Sequence, residues 1–125
     1  MKFTEDFYKS IANLFYAVSM ADKNMTVEEK KSIVKRVEKN WNTSKDTSES
    51  ELIYEELRSL LKEKTTSDEA YENFKNYYTT HKKEFSKETI HNLLAASHEI
   101  SDATASKNKS ELIILAKLYK LFQLA

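Results

Sequence analysis

The sequence predicts an all-α fold, a compact bundle of about six helices in one domain spanning residues 1–125. Three observations carry that prediction. The chain has no glycine and no proline among its 125 residues. Apolar residues recur at intervals of three and four in one segment after another. A hydroxyl residue followed three positions later by glutamate, the spacing of a capping box, stands at the start of several of these segments. Without glycine the chain lacks phosphate-cradling loops and dinucleotide-binding fingerprints, and tight hairpins become difficult. A chain rich in lysine, glutamate and leucine and free of both helix breakers is most simply helical.

The first predicted helix runs from about Thr4 to Ala21, with Phe7, Ile11, Leu14, Phe15 and Val18 forming one apolar stripe. Asp22-Lys23-Asn24-Met25 breaks the pattern. Thr26, at capping-box spacing from Glu29, opens a second helix over about Val27 to Trp41. Its inner residues are Val27, Ile33, Val34, Val37 and Trp41; its outer cations (Lys30, Lys31, Lys35, Arg36, Lys39) are offset by Glu28, Glu29 and Glu38. No aromatic or amide pattern accompanies those cations, so they form a solvated face rather than a nucleic-acid surface.

Residues 42–50 form a polar loop, and Ser48 with Glu51 then opens a third helix carrying Leu52, Ile53, Leu57, Leu60 and Leu61. Thr66 with Glu69 opens a fourth, whose Tyr71, Phe74, Tyr77, Tyr78 and His81 share a side. Tyrosine can bury its ring and keep its hydroxyl wet, which places this helix at the margin of the domain or in a partner groove. Ser86 is the expected N-cap of a fifth helix, with Phe85 and Ile90 as its hydrophobic staple. Ile90, Leu93, Leu94, Ser97 and Ser101 would line its packing face. Asn108 and Glu111 open the sixth, apolar nearly all round from Leu112 to Leu124. Such a helix is expected at the centre of the bundle, or with one face covered by a second subunit in a homodimer.

Composition narrows the chemistry. Twenty basic and twenty acidic residues cancel, so no net field draws the chain to nucleic acid or to an anionic membrane. The absence of cysteine removes disulfides, thiolate nucleophiles and cysteine-held zinc, and fits a cytoplasmic setting. Glu5 and Asp6 stand where a signal peptide needs an apolar core, and no apolar run approaches the ~20 residues of a membrane span. There is no Gly-x-Ser-x-Gly elbow, and the serines sit where caps and loops want them. Nothing identifies an enzyme.

The acidic bends remain. Asp22, Asn24 and Thr26 match positions one, three and five of an EF-hand loop, but Val27 stands where glycine is required and Ile33 where the bidentate glutamate belongs. A looser copy of the helix–bend–helix unit lies at Leu93–Leu115, with Asp102 in the place of Asp22 and Glu111 in the place of Glu29. Eight residues separate the second acidic pair and six the first. Packed about a rough twofold axis, Asp22, Glu29, Asp102 and Glu111 would offer hard oxygen ligands suited to calcium, magnesium or manganese. Capping accounts for Glu29 and Glu111 equally well.

These residues, Ala-x-x-x-Ala-Asp followed by a short loop and a glutamate-opened helix, resemble the signature of the tellurite-resistance TerB-like family. The likeness covers both ends of the chain. The family usually has glycine after the aspartate, where this chain has Lys23 and Ala103. The resemblance implies a small all-helical bacterial stress-response protein that is not an enzyme, holds a divalent metal at its acidic bends and works in a protein complex. Two other readings stand beside it. One is a metal-free helical module that binds a protein through the fourth helix or the end of the sixth. The other is an oxidoreductase using Glu88, His91 and His98 on the fifth helix, where Glu88-x-x-His91 is one of the two motifs a di-iron carboxylate site needs. His81 does not supply the second, because Tyr78 stands three residues before it.

Overall fold

The computed structural model describes residues 5–21, 31–33, 35, 48–101 and 109–122, with the side chains of 48–50 and 109–111 set aside. Among these residues the chain is all-α and has no strand. In order come α1 (Glu5–Ser19), α2 (Ser48–Lys62), α3 (Ser67–Thr80), a 3-10 turn (Lys82–Glu84), α4 (Lys87–Ser101) and α5 (Lys109–Leu121). Most of the predicted second helix, Val27–Trp41, lies outside the described residues, as do the Thr26–Glu29 cap and Asn108. Lys31–Ile33 and Lys35 are helical, with Ile33 buried and both lysines exposed, as the stripe requires.

The helix at the centre is α1 rather than the sixth predicted helix. From Phe7 to Ser19 every residue of α1 except Lys9 is buried, and it packs on all four of the other long helices, most extensively on α3 and α2. Its apolar stripe alone does not explain this, because Ser10, Asn13 and Ser19 are buried too. Each finds an acceptor in its own helix. Ser10 Oγ donates to the carbonyl of Phe7 at 2.6 Å, Ser19 Oγ to that of Phe15 at 3.0 Å, and Asn13 Nδ2 to that of Lys9 at 2.8 Å. With their polar atoms satisfied, these short side chains can enter a core that would otherwise charge about 1–3 kcal/mol for each.

The expected marginal position of the tyrosine-bearing helix is also corrected. α3 is a principal partner of α1, and Tyr71, Phe74 and Tyr78 are core residues. Phe85, following the 3-10 turn, and Phe122, at the end of α5, close an aromatic cluster around them. Phe74 meets both edge-on at 6.0 and 6.2 Å, and Tyr78 meets both at 5.0 Å. Such edge-to-face pairs contribute about 0.5–1.5 kcal/mol each beyond the area they bury. Tyr77 is half-buried; its hydroxyl donates to Glu84 at 2.6 Å and its ring stacks on His81 at 4.1 Å, bracing the turn.

Local signals fare better. The Thr66 capping box is complete: Glu69 N–H donates to Thr66 Oγ1 at 3.1 Å, and Thr66 N–H to Glu69 Oε1 at 3.4 Å. Ser86 caps α4 by accepting from the N–H of Thr89 at 3.1 Å. Phe85 is buried and Ile90 half-buried beside that cap. Leu93, Leu94, Ser97 and Ser101 face inward, as their spacing predicts.

The link between α2 and α3 is built without glycine. Thr65 N–H returns to the carbonyl of Leu60 at 3.0 Å and Lys64 N–H to that of Leu61 at 3.2 Å, the two bonds of a Schellman motif. The motif needs a left-handed residue, and Lys64 takes it at φ 54°. Tyr16 Oη donates to the carbonyl of Thr65 at 2.6 Å, and Ser67 Oγ donates to that of Ala17 at 2.7 Å. These bonds hold the turn against the C-terminal half of α1.

Candidate functional site

Three of the four predicted metal ligands, Asp22, Glu29 and Asp102, lie outside the described residues. Glu111 is placed as a backbone position in α5, and its side chain is likewise not described. Among the described residues no group of three or more histidine, aspartate or glutamate side chains is arranged to hold a metal. The alternative trio on α4 does not converge. Glu88 and His91 are exposed, while His98 is half-buried with Nε2 at 2.7 Å from the hydroxyl of Tyr119 on α5. That bond ties α4 to α5 and occupies the ring nitrogen.

What the fold does assemble is a groove. The turn that follows α1 (Met20, Ala21), the left-handed turn at Lys64 and the first half of α5 (Ile113, Ile114) line a cleft of about 510 Å³. A second cleft, about 450 Å³, runs on between α3 and α5 past Tyr71, Lys75 and Lys120, and the two share Asp68 and Lys117 as walls. On α5, Leu112 is 52% exposed and Ile113 49%, while Ile114, Leu115 and Leu118 are buried. Spacing explains the split: Leu112, Ile113, Ala116, Lys117 and Lys120 fall on one side of the helix and all are exposed or at the groove. Apolar side chains on that side therefore lack a covering element among the described residues.

The groove is also charged. Lys64, Lys75, Lys117 and Lys120 have no ion-pair partner among the described residues, where the recorded pair is Lys9 with Glu5 on α1. Lys117 lays its ammonium over the Tyr71 ring at 5.8 Å from the centroid, a cation–π contact that positions the charge without neutralising it. Burial, and then the neighbouring carboxylate of Glu72, push the Tyr71 phenol above its ordinary range. Tyr16 behind the turn is raised in the same way, by burial first and Glu69 second.

The sequence expected this helix at the centre, with a contact on the fourth predicted helix or the end of the sixth only in the metal-free alternative; Phe122 is core and the exposed aliphatic residues of α5 lie in its first half. The available signal was that the sixth predicted helix reads apolar nearly all round, which asks for neighbours on every side. No protein-family model matches the chain, and no curated protein and no solved structure matches it either. Among the described residues no helix is long and apolar enough to cross a membrane.

Proposed function

We propose that this chain is a non-enzymatic helical interaction protein that docks a partner protein along the groove between α3 and α5. The observation that carries the reading is the pair Leu112 and Ile113, half exposed on α5 beside a formed cleft. Singly exposed aliphatic residues are ordinary, and two adjacent ones bordering a concave wall support the docking reading at this place. The test is site-specific photo-crosslinking in the cell that makes the protein. A benzophenone side chain replacing Ile113 should give a discrete adduct that disappears when Leu112→Glu is added, while the same group at exposed Glu55 on α2 gives none. Equal labelling at both positions would refute the reading.

A second reading is favoured by one observation. Ala21 precedes Asp22, Ile113 follows Glu111 by two positions, and both line the same cleft. On that reading the protein is a TerB-like, cytoplasmic stress-associated protein in which Asp22, Glu29, Asp102 and Glu111 hold calcium, magnesium or manganese next to the docking groove. A ligand that binds only the folded state raises its melting temperature. Millimolar calcium or manganese should therefore stabilise the native chain and leave an Asp22→Asn, Asp102→Asn variant unmoved. No shift in the native chain would rule this reading out.

A further inference from the structure

We infer that the occupant of the α3–α5 groove is an acidic amphipathic segment of a partner protein, with apolar side chains seated against Met20 and Ile113 and carboxylates on Lys75, Lys117 and Lys120. The inference rests on the docking reading and adds the chemistry of the partner. Charge is the first argument. The chain as a whole has zero net charge, yet among the described residues the walls of the two clefts carry Lys64, Lys75, Lys117 and Lys120 against Asp68 and Glu72. None of these lysines is neutralised by an ion pair among the described residues. A concave wall with an excess of cations concentrates anions and steers acidic partners onto it.

Order along the groove is the second argument. The open side of α5 reads apolar first (Leu112, Ile113, Ala116) and basic afterwards (Lys117, Lys120), with Lys75 across the groove at the basic end. From Leu112 to Lys120 the helix rises about 12 Å, or roughly two turns of a bound helix laid alongside. A complementary segment therefore has its apolar residues towards one end and its acidic residues towards the other. The stems of Lys117 and Lys120 extend the apolar floor while their ammonium groups reach the rim, as long cationic side chains commonly do. An isologous second copy is disfavoured as the occupant, because it would bring the same lysines against themselves. The walls are also concave, which suits a helix better than a flat lipid surface.

The experiment uses fluorescence anisotropy on the full chain. The probe is a labelled synthetic helix of about 15 residues, with leucines on one face at one end and glutamates at the other. An analogue with every glutamate replaced by lysine and vesicles of phosphatidylserine in phosphatidylcholine serve as the other two probes. The acidic helix should bind, the basic analogue should not, and Lys117→Glu with Lys120→Glu should weaken binding at least about tenfold. Raised salt should weaken it further, and both substitutions lie on an exposed face, so circular dichroism should be unchanged. Equal binding of both helices, or no effect of the lysine reversals, would overturn the inference. In that event an intact crosslink from position 113 would show that docking survives with a partner of different charge, and its absence would remove both. Vesicle binding without peptide binding overturns the inference in favour of a membrane surface. Concentration-dependent self-association in the absence of peptide binding overturns it in favour of a second copy.

Discussion

Lys64 occupies a backbone position for which glycine is the ordinary choice. A non-glycine residue at positive φ costs about 1 kcal/mol, and this chain, having no glycine anywhere, bears that cost to close the Schellman turn. Lys64→Gly should therefore raise stability by about 0.4–1 kcal/mol in urea unfolding, with the slope unchanged. Ser97 on α4 is fully buried, and its hydroxyl has no hydrogen-bond partner among the described residues. Ser97→Ala removes an unmet donor from a site where only small size is needed, and should be neutral or stabilising by about 1 kcal/mol. Tyr16 is the opposite case, since its hydroxyl holds the α2–α3 turn through Thr65. Tyr16→Phe should cost about 1–3 kcal/mol, because the carbonyl left behind is partly buried. The raised phenol also fixes a pH dependence. The folded protein holds the Tyr16 proton more tightly than the unfolded chain does, so this contribution is complete below about pH 10 and is lost as pH rises past that value. Thermal melts should decline more steeply above pH 10 in the native chain than in Tyr16→Phe.

At the scale of elements, what the sequence disclosed follows from how local each signal is. The Thr66–Glu69 box and the Ser86 cap each depend on residues three apart in one turn of backbone, and both formed as their spacing predicts. The inward face of α4 was equally legible, since 3.6-residue periodicity is a property of a single helix. Which helix lies at the centre is a non-local matter. The sixth predicted helix reads apolar nearly all round from Leu112, yet α1 is central, and its serines and asparagine bond within their own helix and so enter the core with their donors met. Asn13 goes further, donating to Glu56 of α2 at 3.0 Å and accepting from Asn73 of α3 at 3.0 Å. Partners 43 and 60 residues away are invisible to a window of one helix. Replacing Asn13 by leucine should accordingly cost about 1–3 kcal/mol even though the site is buried and leucine is apolar, since Glu56 and Asn73 lose their partner. Denaturant unfolding of that variant, with Asn13→Gln as the companion, measures it.

Among the described residues, the core runs along α1 and the aromatic cluster, while one side of α5 is uncovered beside a lysine-rich cleft. The predicted acidic quartet was readable as a pattern but not as a site, because bringing Asp22 to Asp102 depends on packing between distant parts of the chain. The groove was readable only as a helix apolar nearly all round. The docking reading requires that the α5 side bearing Ile113 be open and the side bearing Ile114 be closed. Adjacent residues of the same kind on one helix give the most direct measurement: thermal unfolding of Ile113→Glu beside Ile114→Glu. An exposed substitution stays within about 0.5 kcal/mol, whereas a carboxylate forced into the core costs several. The account predicts that Ile113→Glu melts within about 3 °C of the native chain while Ile114→Glu loses at least about 10 °C or its cooperative transition. Equal losses in the two variants would mean that α5 is covered on both sides, and the groove with its proposed partner would have to be abandoned.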